Sequence, residues 1–172
     1  MKFMVLSAPR SGSTWVANWL TTEKTLCLHD PILEYRVEAL DFLPCDRRLG
    51  LSCTALALLP DFVNAHPANK VVLHRDLREV NQSLCRIGLT RLPSSWDKAL
   101  AKIDAIHCSF RDVFDPECAK ILWEHLIPGI PFDAPRHANL RAMHIEPNFD
   151  KVKVVPDRAR EFRHRLEEAF AS

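Results

Sequence analysis

An α/β fold, with a small parallel sheet, helices on its faces and a helical C-terminal half, is predicted by three features of the 172-residue sequence. Short apolar runs of strand length recur at Lys2–Ser7, Leu49–Cys53 and Lys70–His74. The first and last of these lead through a polar turn into a helical apolar stripe, the order of a strand–helix–strand unit. The balance of 47% hydrophobic against 26% charged residues, over a length typical of one domain, suits a packed core and a single unit over 1–172.

The elements follow in order. Lys2–Ser7 reads as a buried strand, and Ala8-Pro9-Arg10-Ser11-Gly12 as a polar turn. From Ser13, apolar residues at 15, 16, 19 and 20 mark a helix that starts at a hydroxyl-rich cap. Thr25–Leu28 is a second short strand ending at His29-Asp30-Pro31, and Leu49–Cys53 is a third. The apolar segment Thr54–Val63 is limited in regularity by Pro60. Lys70–His74 is the clearest later strand, running into Arg75-Asp76 and a helix over Leu77–Ile87. Beyond it the pattern is helical over Ser95–Phe110, Asp115–Leu126, Asp133–Met143 and Pro156–Phe170, with Pro-rich joints between the later helices. Trp19, Trp96 and Trp123 are expected in the core.

Composition excludes several function classes. The formal net charge is +1, so bulk attraction to nucleic acid or an anionic membrane is not the theme. Arg158, Arg160, Arg163 and Arg165 mix with Glu161, Glu167 and Glu168, the pattern of an ion-paired exposed helix rather than a nucleic-acid arm. No stretch approaches the roughly 18–20 apolar residues of a membrane span, and Arg10 interrupts the N-terminal run that a signal peptide would need. The six cysteines form no CxxC and no zinc-finger pairing, and the eight histidines form no HExxH, so no metal site is expected. Free thiols then point to a reduced, cytoplasmic setting. Cys85 and Arg91 match the bare spacing of a phosphatase loop, but Cys85 falls inside a helix instead of after a strand.

The chemistry concentrates in two segments. In the first, a turn delivers backbone N–H groups into the start of a helix, which favours an anion. Arg10 adds a permanently cationic fork, Ser11, Ser13 and Thr14 add hydroxyls, and Gly12 allows close backbone approach. The glycine and lysine pattern GxxxxGK[ST] of ordinary nucleotide phosphate loops is absent. In the second segment Arg75 stands at a strand end and Ser83 eight residues later on the following helix. Alone, Arg75 reads as an ion-pair partner of Asp76 or Glu79. Beside the first segment, at the carboxyl edge of one parallel sheet, it reads as a second anion subsite.

Pro9-Arg10-Ser11-Gly12-Ser13-Thr14-Trp15 resembles the 5′-phosphosulfate loop of sulfotransferases, and Arg75 through Ser83 resembles that family's 3′-phosphate motif, in the same order. The resemblance covers roughly Lys2–Leu92. It implies a P-loop-like three-layer fold and 3′-phosphoadenosine 5′-phosphosulfate (PAPS) as co-substrate. Arg10, Ser11, Gly12, Ser13 and Thr14 would hold the 5′-phosphosulfate, and Arg75 and Ser83 the 3′-phosphate; Trp15 would either support the adenine side or pack in the core. The partner would be a small-molecule or peptide hydroxyl acceptor, its proton taken by a base.

The histidine that the cytosolic branch places near the end of the strand before the 3′-phosphate motif is missing from Leu51-Ser52-Cys53-Thr54. Other branches use a carboxylate shortly after the first helix, and Asp30 falls near that place, with His29 as its partner or rival and Glu34 as a third choice. The family's late Arg-Lys-Gly-x-x-Gly segment has no counterpart; Arg136, Arg141 and His144 are the local basic cluster of that half. Two other readings stand beside the sulfotransferase: an atypical phosphotransferase, and a catalytically silent nucleotide-binding or interaction module on the same fold.

Overall fold

The computed structural model describes residues 1–143. The helix expected over Pro156–Phe170, the C-terminal arginine run and His144 lie outside the described residues. Five strands, β1 (Phe3–Ser7), β2 (Thr25–His29), β3 (Arg48–Cys53), β4 (Asn69–His74) and β5 (Ile106–Ser109), form one sheet in the order β2-β3-β1-β4-β5. Every pairing is parallel. Among the described residues six α-helices accompany them: α1 (Ser13–Trp19), α2 (Pro60–Ala65), α3 (Leu77–Arg86), α4 (Ser95–Ala101), α5 (Pro116–Leu126) and α6 (Ala134–Ala142).

Strand alternation divides the core into two layers of contacts. Phe3 and Val5 of β1, with Val71 and Leu73 of β4, pack against α1, α5 and α6. Met4 and Leu6, with Leu51, Cys53 and Val72, pack against α2, α3 and α4. The result is three layers, helices–sheet–helices. β1, entirely buried, can be apolar at successive positions because both of its faces are covered. Trp19, Trp96 and Trp123 are buried as expected, at 1%, 4% and 1% exposure.

The segment after β3 behaves as Pro60 requires. A 3₁₀ turn over Ala55–Leu58 stops before the proline, which then takes a first-turn position of α2, where its missing N–H loses nothing.

One expected element is wrong. The helix read over Ser95–Phe110 ends at Ala101, and Ile106–Ser109 is the fifth strand. The stripe of Trp96, Leu100 and Ile103 is buried as a helical face would be, but it does not carry the helix on. Asp104 N–H donates to Asn64 Oδ1 at 2.8 Å, turning the chain away, and the next residues pair with β4 from Val71↔Ile106 to His74↔Ser109. The C-terminal half therefore carries a sheet edge as well as helices. Among the described residues no helix is long and apolar enough to cross a membrane.

A connection that crosses a parallel sheet in one direction lies on one face, and one that returns lies on the other. The chain leaves β1 toward β2 through α1, and then runs the other way from β2 to β5 through the opposite layer. The carboxyl end of β1 is thus where the two helical layers part, the place where open α/β sheets hold ligands.

Candidate functional site

The turn from β1 into α1 is built from two left-handed residues, Arg10 (φ 64°) and Gly12 (φ 82°). Gly12 adopts this conformation without strain, whereas a long side chain such as Arg10 seldom does. Gly12 caps α1 without a side-chain hydrogen bond, its carbonyl accepting from Val16 N–H at 2.9 Å. The Ser11 side chain is fully buried beside this turn, and its hydroxyl has no hydrogen-bond partner among the described residues; the buried Ser52 hydroxyl is in the same state.

The two sequence segments meet. Arg10 Nε donates to Ser83 Oγ at 3.0 Å, and Arg75 Nη1 donates to the Arg10 carbonyl. Arg75 is a quarter exposed and pairs with Glu79, Nε to Oε2 at 3.1 Å, while its guanidinium sits 4.6 Å from the centre of the Phe110 ring. Of the two ion-pair partners expected for Arg75, only Glu79 is used. Asp76 instead caps α3, accepting from the N–H groups of Arg78 and Glu79 at 2.7 and 3.4 Å. That cap fixes the helix from which Glu79 and Ser83, four residues apart and so on one face, reach the loop.

A second cluster lies at the ends of β2 and β3. Ser13 Oγ and Thr14 Oγ1 are 3.0 and 3.3 Å from His29 Nε2, and Asp30 Oδ2 is 3.3 Å from the same nitrogen. Asp30 Oδ1 accepts from Thr54 twice, from its backbone N–H at 2.6 Å and its hydroxyl at 3.0 Å. Asp30 has a left-handed backbone (φ 43°) and makes no side-chain cap on the short 3₁₀ turn that follows, so its carboxylate ties β2 to the end of β3 instead of closing a local turn. With its Nε2 unprotonated, His29 accepts from the two hydroxyls; once protonated there, it donates to Asp30. Burial first, and the Asp30 charge second, push the Cys53 thiol well up, so it is no nucleophile beside this cluster.

Every residue singled out in the two segments is accounted for. Arg10, Arg75 and Ser83 form one contact chain; Ser13, Thr14, His29 and Asp30 form the other; Ser11 and Gly12 belong to the turn between them. Of the two roles open to Trp15, its ring takes the packing one: it is 5% exposed, donates to the Leu140 carbonyl at 3.1 Å and packs on Trp19, Phe114 and His137. Glu34 is exposed, and among the described residues its side chain makes no hydrogen bond or ion pair with the cluster. Arg136 closes the far end of α1, donating to the carbonyls of Asn18 and Thr21 at 2.7 and 2.6 Å. Cys85 lies inside α3 and is exposed, away from any strand end.

Thr54, Phe110 and Arg111 went unread in the sequence. Thr54 stands one residue past β3, and Phe110 and Arg111 just past β5; a reading that recognised β5 would have placed both at the same sheet edge as Arg75. Among the described residues no group of three or more His, Cys, Asp or Glu side chains is arranged to hold a metal ion. No family model matches the chain, and no curated protein matches it.

Proposed function

We propose that the chain is a sulfotransferase, moving the sulfuryl group of PAPS to the hydroxyl of an acceptor. The observation that carries the reading is the Arg10–Ser83 hydrogen bond, with Arg75 on the Arg10 carbonyl, which joins two separate anion-binding segments at the carboxyl end of neighbouring strands. A ligand with charged groups at both ends of one nucleoside suits such a pair. A ligand with a single 5′ chain of phosphates has no use for the second.

Each residue has a definite task on this reading. The turn from Arg10 to Thr14 binds and orients the phosphosulfate end, with the buried Ser11 hydroxyl as a donor in reserve. Arg75 and Ser83 hold the 3′-phosphate. His29 takes the acceptor's proton on Nε2, and Asp30 then faces the imidazolium it creates. Asp30 is the counter-ion rather than the base because Thr54 already occupies one of its oxygens and it is the less exposed of the two, 16% against 32%. When Ser13 and Thr14 turn to an anionic oxygen, a stronger acceptor than imidazole, they release Nε2 for this role. The acceptor oxygen forms a bond to sulfur as the bond from sulfur to the phosphate oxygen breaks, and adenosine 3′,5′-bisphosphate leaves. Arg10, always charged, offsets the negative charge that grows on the leaving oxygen. As in phosphoryl transfer, the protein contributes position and charge rather than covalent chemistry.

Calorimetric titration with adenosine 3′,5′-bisphosphate, 5′-AMP and ATP tests this. The bisphosphate is expected to bind selectively, and Arg75→Ala to weaken it about tenfold or more, as the loss of a charged hydrogen bond would. ATP binding as well as the bisphosphate would favour phosphotransfer. Binding of none of the three would overturn the reading.

A further inference from the structure

Beside Arg75 stands a second arginine that neither sequence segment contains. Arg111 Nη2 donates to Glu79 Oε1 at 3.2 Å, while Arg75 Nε donates to the other oxygen, Oε2, at 3.1 Å. Both guanidiniums flank the Phe110 ring, 4.6 and 5.9 Å from its centre. Two cations on one carboxylate, one per oxygen, describe the arrangement that would also hold a phosphate monoester.

We propose that Arg75 and Arg111 form a two-arginine clamp for the 3′-phosphate of the nucleotide, and that Glu79 is its internal competitor, occupying the clamp until the phosphate displaces it. The proposal deepens the sulfotransferase reading and rests on it. Three features support it. Glu79 carries one negative charge against two cations, so a phosphate dianion neutralises the pair where the carboxylate leaves it half-compensated. The Glu79 contacts are displaceable, because its side chain is 39% exposed and Arg111's is 71%, and ion pairs this open contribute little. Glu79 also lies one helical turn before Ser83 on the same face of α3, so the carboxylate and the hydroxyl share one approach to the ligand. Phe110 holds Arg75 in place from below, while Arg111, reaching in from the end of β5, has freedom to follow the anion.

The test is titration of adenosine 3′,5′-bisphosphate and 5′-AMP into wild type, Arg111→Ala, Glu79→Gln and, as a control for long-range charge, Arg78→Ala. Arg111→Ala is expected to weaken the bisphosphate about five- to tenfold, somewhat less than the loss of a buried charged hydrogen bond because the residue is exposed, with 5′-AMP unmoved. Glu79→Gln is expected to bind the bisphosphate about three- to tenfold more tightly, since the competitor has lost its charge. Arg78→Ala should match wild type. Bisphosphate binding unchanged in Arg111→Ala, or no tighter in Glu79→Gln, overturns the clamp and leaves the two-subsite reading standing. An equal loss in Arg78→Ala also overturns it, since general charge would then account for the effect. Wild type that does not prefer the bisphosphate to 5′-AMP overturns the clamp and the reading together.

Discussion

Gly50 lies in β3 opposite Phe3 of β1 on one side and Cys27 of β2 on the other, and the Phe3 ring fills the space where its side chain would stand. A Cβ there would meet Phe3 Cε2 at 2.2 Å, and the ring, fully buried against α1 and α5, has nowhere to retreat. Gly50→Ala is therefore expected to destabilise the protein by about 1–3 kcal/mol or more, the range for overpacking a filled core. Urea unfolding would read this as a lower midpoint at unchanged slope. In a Phe3→Leu background the same substitution should cost less, because the smaller side chain yields the room. Equal losses in both backgrounds would mean that the ring is not what excludes a side chain. The same scale governs the site: Arg10 and Asp30, both left-handed without being glycine, are held there by the contacts their backbones and side chains make, not by local preference.

At the level of elements, β5 is the part that a one-dimensional reading misses. β1, β3 and β4 announce themselves as apolar runs because both sides of the central strands are covered. β5 is a four-residue edge strand, mostly exposed, with His107 and Ser109 in its run, and it follows a stripe that suits a helix. Its strand character comes from β4, a partner distant in sequence, and no local preference betrays it. What ties its second residue to the end of β4 is a histidine pair. His74 Nε2 and His107 Nδ1 are 2.7 Å apart, and His107 Nε2 bonds the Ile103 carbonyl at 2.9 Å. The second contact makes Nε2 the protonated nitrogen of His107, so its Nδ1 accepts from His74. Burial first, and the His107 charge second, lower the His74 pKa, with Asp97 of α4 acting against them. A histidine with its pKa lowered by folding binds protons more readily when unfolded. Its contribution is thus full above the unfolded value of about 6.5 and is lost as the pH falls from there toward the folded value. Unfolding midpoints at pH 7.5 and 5.5 should show a drop in the wild type that is smaller in His74→Phe. An identical drop in the two would remove the pair from the account of acid sensitivity.

For the molecule as a whole, the strand order decides which residues can act together. The two segments of the candidate site are legible because each is continuous in the chain, a loop with its helix start and a strand end with its helix. Thr54 and Arg111 are not, because they reach the site from β3 and β5 and only the order β2-β3-β1-β4-β5 gathers those ends on one rim. This topology has a consequence for binding. The turn after β1 leads into α1 in one helical layer, and β4 leads into α3 in the other, so the Arg10–Ser83 bond already spans the parting of the layers. A nucleotide held by the turn at one end and by Arg75 and Ser83 at the other would tie the two layers more firmly than the bonds already made there. Adenosine 3′,5′-bisphosphate at about 100 times its dissociation constant should raise unfolding stability by about 2.7 kcal/mol by mass action. Hydrogen exchange should then slow in α1 and α3 together, on opposite faces of the sheet, while α2, which contributes nothing to the site, changes no more than this global gain in stability requires. Slowing confined to one of the two helices would mean that the ligand engages a single segment, and the two subsites would not act as one.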